Sequence, residues 1–201
     1  MFLSVSSVFL VRFFNPPFTS FMFWESNLFQ KKIDYNWTPI SNMGENIALS
    51  VVATEDFNFC NHIGVDIKEI YKVIRRGEKR GASTITQQLA KNLFLWSGRS
   101  WSRKVVELYF TFLIETIIPK RRILEIYLNT VETSLFTFGV NNSSEKYYKK
   151  PSDKLTKEQA IRIALTLPNP KSRSPKKLKS YLVERISRLK KDVEILKKDD
   201  R

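Results

Sequence analysis

One cysteine, Cys60, one histidine, His62, and six glycines are spread over 201 residues. A single cysteine excludes an intramolecular disulfide framework and a thiolate zinc cage. A single histidine excludes a multi-histidine metal site and confines any Ser-His-Asp or Cys-His triad to the neighbourhood of residue 62. Carboxylates remain the leading catalytic groups, for acid–base or electrostatic work. Period-two alternation of apolar and polar residues is scarce, which argues against a sheet-based body. Long apolar runs are also missing. Met1 to Val11 is uncharged, but Arg12 and then Asn15-Pro16-Pro17 interrupt it before the roughly 20 residues that span a bilayer.

The chain nevertheless has enough apolar material for a core, at 42% hydrophobic and 13% aromatic residues, and a length that suits one domain with an appendage. Thirty-four Lys+Arg against 20 Asp+Glu leave a net charge of +14. Residues 1–54 are neutral, with Arg12, Lys31 and Lys32 against Glu25, Asp34 and Glu45, so the later body carries the whole surplus. Such a surface suits nucleic acid, an anionic membrane or a phosphorylated substrate, and charge alone does not choose. Eight of the 15 phenylalanines fall in the first thirty residues. That density points to a shortened or interfacial membrane anchor, with a buried N-terminal arm as the alternative. A targeting segment is the third reading, but a basic n-region and a small-x-small cleavage site are lacking.

Helical signals dominate the rest. Glu45 to Ala53 reads as a short buried helix, and Asp66 to Arg76 as a second, with Ile67, Ile70, Tyr71 and Ile74 on one face and Gly77 as its stop. Thr84 and Gln87 make a T-x-x-Q capping box for a helix carrying Ile85, Leu89, Leu93 and Trp96. A long apolar helix is expected over 100–118, then one over 120–129 with Pro119 at its first position. Thr156 and Gln159 repeat the capping box for a helix ending near Pro168. Leu182, Ile186, Leu189, Val193 and Leu196 give the tail an amphipathic pattern, read as a basic helix packed on the body.

Two carboxylate positions stand out. Glu55 and Asp56 precede a mixture of aromatics, His62, Gly64 and Asp66 that suits the lining of a cleft. Glu107 sits in Val105-Val106-Glu107-Leu108-Tyr109-Phe110, where an unpaired buried carboxylate would cost several kcal/mol. Arg103 and Lys104 lie four and three residues before it on the same helical face, so an internal ion pair is the plain alternative to a catalytic role. Two carboxylates on separate elements suit glycosyl chemistry. The cations Lys91, Arg99, Arg103 and Lys104 favour transfer from a diphosphate sugar, because a diphosphate leaving group needs positive charge. Lone His62 reads as a hydrogen-bonded structural residue rather than a metal ligand.

These residues fall into ordered motifs. Glu55, Asp56, Phe59, His62, Gly64 and Asp66 fit Glu-Asp-x-x-Phe-x-x-His-x-Gly-x-Asp, and Gly81-Ala82-Ser83-Thr84-Ile85-Thr86-Gln87-Gln88-Leu89-Ala90-Lys91-Asn92-Leu93 follows. Arg103-Lys104-x-x-Glu107 is the third and Arg122-Ile123-Leu124-Glu125-x-Tyr127-Leu128-Asn129 the fourth, with Leu167-Pro168-Asn169-Pro170 as a closing signature. On these motifs the chain resembles the peptidoglycan glycosyltransferases, specifically the monofunctional biosynthetic transglycosylases of bacteria.

The resemblance implies a mostly α, lysozyme-like glycosyltransferase domain over 31–175. Residues 1–30 would be a membrane anchor or interfacial segment, and 176–201 a basic amphipathic C-terminal helix. It implies an inverting enzyme of the bacterial inner membrane, with a single N-terminal anchor and its domain on the periplasmic side, that polymerises lipid II into β-1,4-linked glycan and releases polyprenyl diphosphate. Glu55 would be the general base and Glu107 the second catalytic carboxylate, organising cations or a divalent ion, Mg²⁺ or Mn²⁺. Asp56, Ser83, Thr84, Gln87, Gln88, Lys91, Arg99, Arg103 and Lys104 would bind substrate or tune the base. Partners would be lipid II, the growing glycan strand, membrane lipids and cell-wall synthesis or division proteins, but no nucleic acid.

Ala82 of the second motif and the short apolar N-terminus depart from the family pattern, and so does the stretch after the fourth motif. Ser134 and Phe136 stand where glycines are usual, so strain is expected wherever the backbone there needs a positive φ. A catalytically impaired member that only binds lipid-linked precursor is therefore one alternative, and a peptidoglycan-cleaving enzyme of lysozyme-like architecture is another.

Overall fold

A computed structural model describes residues 2–27, 30–77, 81–98 and 100–199. Among these, the α-helices are α1 (Phe2–Phe13), α2 (Ser20–Glu25), α3 (Glu45–Glu55), α4 (Ile67–Arg75), α5 (Ile85–Phe94), α6 (Trp101–Ile117), α7 (Lys120–Thr130), α8 (Val140–Tyr148), α9 (Lys157–Ala164) and α10 (Ser180–Asp199). Three short strands, β1 (Asp34–Tyr35), β2 (Glu132–Ser134) and β3 (Thr137–Phe138), form a small sheet in the order β1-β3-β2. The first pair is parallel and the second antiparallel, with an irregularity between Glu132 and Ser134. The fold is thus mostly α.

Side chains written in the sequence set the helix starts. Both capping boxes form: Thr84 accepts from the Gln87 N–H at 3.2 Å while Gln87 accepts from the Thr84 N–H at 3.0 Å, and Thr156 and Gln159 repeat the arrangement. Asp66 caps α4 and Ser100 caps α6 by accepting from the N–H three residues on, without the return bond. Pro119 caps α7 from outside, because its extended ψ of 147° places the first helical residue at Lys120. The helix expected to reach Pro168 ends at Ala164 and continues as turns. Trp96 falls beyond α5, whose end is fixed by an extended Leu95.

α3 lies between two cores, which explains why it is apolar all round. Residues two apart on a helix point to nearly opposite sides. Ile47 and Val51 join the larger core with Ile85, Leu89, Ile114 and Tyr127. Leu49 and Ala53 join Ile161, Leu165, Leu182, Ile186, Leu189 and Val193. The tail helix α10 is therefore a wall of the body, packed on α3 and α9. Glu55, the last residue of α3, emerges at the end of this sandwiched rod.

Two helices turn the other way from the simple apolar-face expectation. Ile67, Tyr71 and Ile74 of α4 are exposed and Val73 is the buried residue. On α6 the buried stripe is Glu107, Thr111 and Ile114, while Trp101, Val105, Tyr109 and Phe112 face outward. Apolar periodicity marks a face, but the neighbour that covers it is decided by the tertiary arrangement. The N-terminal α1 packs on α6 through buried Val8, a Ser4–Tyr109 hydroxyl contact of 2.7 Å and an Arg12 bond to the Ile117 carbonyl at 2.7 Å. Leu3, Phe9, Leu10 and Phe13 remain exposed on the same helix. No helix among the described residues is long and apolar enough to cross a membrane.

Candidate active site

A cavity of about 660 Å³ opens beside the end of α3. Its wall carries Glu55 from the end of α3, Asp56 just after it, Ser83 and Thr84 just before α5, Lys72 from α4, and Arg185 from α10. Glu55 is half-buried and its Oε2 accepts a hydrogen bond from Gln88 Nε2 at 3.0 Å. Burial pushes its pKa up to about 6 from 4.5, with Asp56 adding repulsion, against the Gln88 bond and the charges of Arg185 and Arg173. Gln88 is fixed in turn by the hydroxyl of fully buried Tyr127, which donates to Gln88 Oε1 at 2.9 Å.

Asp56 has both oxygens engaged. One contacts His62 Nε2 at 2.8 Å and the other accepts from the N–H of Ile85 at 3.0 Å, the first residue of α5. A carboxylate at a helix N-terminus meets both unpaired N–H groups and the positive end of the dipole. Asp56 therefore ties the loop after α3 to the start of α5. Gly64 lets that loop approach α6: its φ is +77°, and a Cβ there would meet Thr111 Cγ2 at 2.6 Å. Thr84 Oγ1 donates to the Gly64 carbonyl at 2.6 Å, so Thr84 and Gln87 are buried and spent on holding the turn.

A second cluster lies along α5 and α6. Glu107 is 3% exposed and receives Arg103 Nη1 at 2.9 Å and Lys104 Nζ at 2.5 Å on its two oxygens. Lys104 also donates to Ser83 Oγ at 3.3 Å, which links this cluster to the cavity rim. Lys91 sits 4.8 Å from the centre of the Phe21 ring, and burial lowers its pKa, opposed by Glu107 and assisted by Arg103. Arg99 lies outside the described residues. Glu132 is buried close enough to Lys91 to feel its charge, and its own pKa is pushed up to about 6 by burial.

The divalent ion expected at Glu107 does not fit these donors. Both carboxylate oxygens are held by cations, and no group of three Asp, Glu, His or Cys side chains able to hold a metal occurs among the described residues.

The sequence pattern of the transglycosylase family matches residues 25–194. A biosynthetic peptidoglycan transglycosylase of Mannheimia succiniciproducens is 44% identical over 179 residues, covering 84% of this chain and 73% of the relative. A protein of the same name from Marinomonas sp. is 42% identical over 201 residues, covering 98% and 88%. Another from Haemophilus influenzae is 42% identical over 181 residues, covering 84% and 74%. The chain belongs to the transglycosylase family.

The structure of this transglycosylase sorts its motifs by task. The fourth motif is scaffold on one side: Asn129 accepts from the Thr38 N–H at 2.8 Å and donates to its carbonyl at 2.9 Å, while Glu125 accepts from the Ile40 N–H at 3.0 Å. Its Tyr127 points to the other side, toward Gln88 and Glu55, a role no spacing rule announces. Arg173 and Arg185 act on Glu55 from more than a hundred residues away in sequence, and Arg185 sits in what reads as a tail. Phe136 has a φ of +56°, so the strain expected at a replaced glycine is present there. Ser134 escapes it, with no positive φ and its hydroxyl accepting from Lys146 Nζ at 2.8 Å.

Proposed function

We propose that this transglycosylase polymerises lipid II into β-1,4-linked glycan with inversion and release of polyprenyl diphosphate, on a lysozyme-like helical domain. The observation that carries the reading is a cavity-facing carboxylate, Glu55, held at a pKa of about 6, beside a cluster rich in cations. Near pH 7.5 such a group is mostly ionised yet basic enough to take a proton, the combination that general-base catalysis needs. Glu55 takes the proton of the acceptor's 4-hydroxyl as that oxygen attacks the donor's anomeric carbon. The bond to the diphosphate breaks, and Lys91, Arg103 and Lys104 neutralise the charge that develops there. Arg99 would join them, as the family resemblance implies. Glu107 holds Arg103 and Lys104 in place by accepting from both. Among the described residues no group of three carboxylate, histidine or cysteine side chains would hold Mg²⁺ or Mn²⁺.

A place at the inner membrane with the domain on the periplasmic side accords with a lipid-linked substrate. Exposed aromatics on α1 and α6, and exposed Ile67, Tyr71 and Ile74 beside Lys68, Lys72 and Arg75 on α4, support contact with an anionic lipid surface. Cell-wall synthesis or division proteins are proposed as partners on the family resemblance alone.

Conversion of labelled lipid-linked precursor to polymer by detergent-solubilised protein tests the reading. Glu55→Gln should lose polymerisation by about 10²-fold or more while remaining folded. An active Glu55→Gln protein would remove the proposed base. Strained Phe136 favours a second reading, a member that binds precursor without turnover, and saturable binding with no polymer would select it.

A further inference from the structure

The chain Tyr127–Gln88–Glu55 has only one workable polarity. An ionised carboxylate accepts and cannot donate, so the Gln88 amide must turn its nitrogen to Glu55, at 3.0 Å. Its oxygen is then directed at the Tyr127 hydroxyl, 2.9 Å away, which must donate. Tyr127 can do so throughout the working range, because burial and the nearby charges of Glu55 and Asp56 keep its phenol protonated well above pH 10. If the amide were reversed, two acceptors would face each other across the Glu55 contact.

Resting on the reading of Glu55 as the base, we propose that Tyr127 is a positioning residue for the reaction: its buried hydroxyl locks the Gln88 amide so that the amide N–H stabilises the ionised Glu55 carboxylate. Tyr127 touches no reacting atom and acts through Gln88. The other charged groups near Glu55 come from different elements. Asp56 adjoins it, Arg173 follows α9, and Arg185 projects from α10. Asp66, Glu69, Lys72 and Arg76 line the cavity from the α4 side, and Arg188 and Asp192 from α10. None of these is altered by removing the Tyr127 oxygen, so the variant isolates the hydrogen-bonded chain.

Tyr127→Phe deletes one oxygen and keeps the ring that fills the core. Without that hydroxyl nothing fixes the Gln88 amide, and the resulting loss of the Gln88–Glu55 hydrogen bond, which favours the ionised form, raises the midpoint of Glu55 by about one pH unit. Polymerisation should then fall about fivefold at pH 6 and return to near the wild-type rate at pH 8, in kcat with KM unchanged. Titration of the Glu55 carboxyl by carbon-13 NMR on the full chain without substrate should show the same move to higher pH. Gln88→Ala should move it equally, and the double variant should match Gln88→Ala alone, because both changes cut one chain. A lower Tm with an unmoved Glu55 titration would reduce Tyr127 to core packing and overturn the proposal, as would additive effects in the double variant. The NMR titration reads Tyr127's action whether or not Glu55 is the base, whereas activity in Glu55→Gln would refute the base alone.

Discussion

Glu55 should weaken the fold it serves. Its pKa rises from 4.5 to about 6 in the folded protein, so between these values the native state holds a proton that the unfolded chain releases. Stability from this group is fully present below pH 4.5 and is lost as pH rises through 6. The loss is about 1.4 kcal/mol for each of the 1.5 pH units, or about 2 kcal/mol at pH 7.5. Glu55→Gln removes that loss, because a neutral amide of the same shape still accepts from Gln88. Chemical denaturation at pH 4.5 and 7.5 should show the variant gaining on wild type by about 2 kcal/mol between the two conditions. For a chain of this size that corresponds to about 3–8 °C in Tm. The same protein should be inactive. A Glu55→Gln variant whose advantage does not grow with pH would show that burial does not penalise the carboxylate, and the basis for a poised base would go with it.

Phe136 and the C-terminal helix supply two further tests. Phe136→Gly relieves a left-handed conformation at φ +56° and should add about 1 kcal/mol to stability in urea denaturation, offset in part by the freer unfolded chain. A loss of stability would mean that the Phe136 ring, 5.1 Å from the Lys31 ammonium, contributes more than the strain costs. Removing residues 176–201 exposes Ala53 and Leu165 and deletes Leu182, Ile186, Leu189 and Val193, each no more than 5% exposed. At about 1.5–3 kcal/mol per side chain the loss approaches a domain's whole stability, so the shortened chain should show no cooperative melt by circular dichroism. A near-wild-type melt would make α10 an accessory.

Much of this protein is legible locally. Thr84 with Gln87 and Thr156 with Gln159 announce helix starts, because a cap is a contact between residues three apart and needs no distant partner. The pairing of Glu107 with Arg103 and Lys104 is legible for the same reason, since all three share one helix. The candidate site residues of the motifs, Glu55 foremost, can be named before any fold is known. Their tasks cannot. Asp56, Thr84 and Gln87 stand in motifs as candidates for substrate, and only the fold shows that Asp56 also holds the start of α5 while the other two also hold a buried turn.

The limit has a physical cause. Sequence by itself determined the helical elements, their caps, the carboxylates and the cations, since these follow from propensity, short-range hydrogen bonds and side-chain chemistry. Only the tertiary structure decided which apolar faces are covered, leaving Ile67 and Trp101 outside while α3 is enclosed on both sides. It also brought Arg185 and Tyr127 to the neighbourhood of Glu55. Desolvation, which sets the pKa of that carboxylate, is a property of everything packed around it, and no local stretch of the chain contains it.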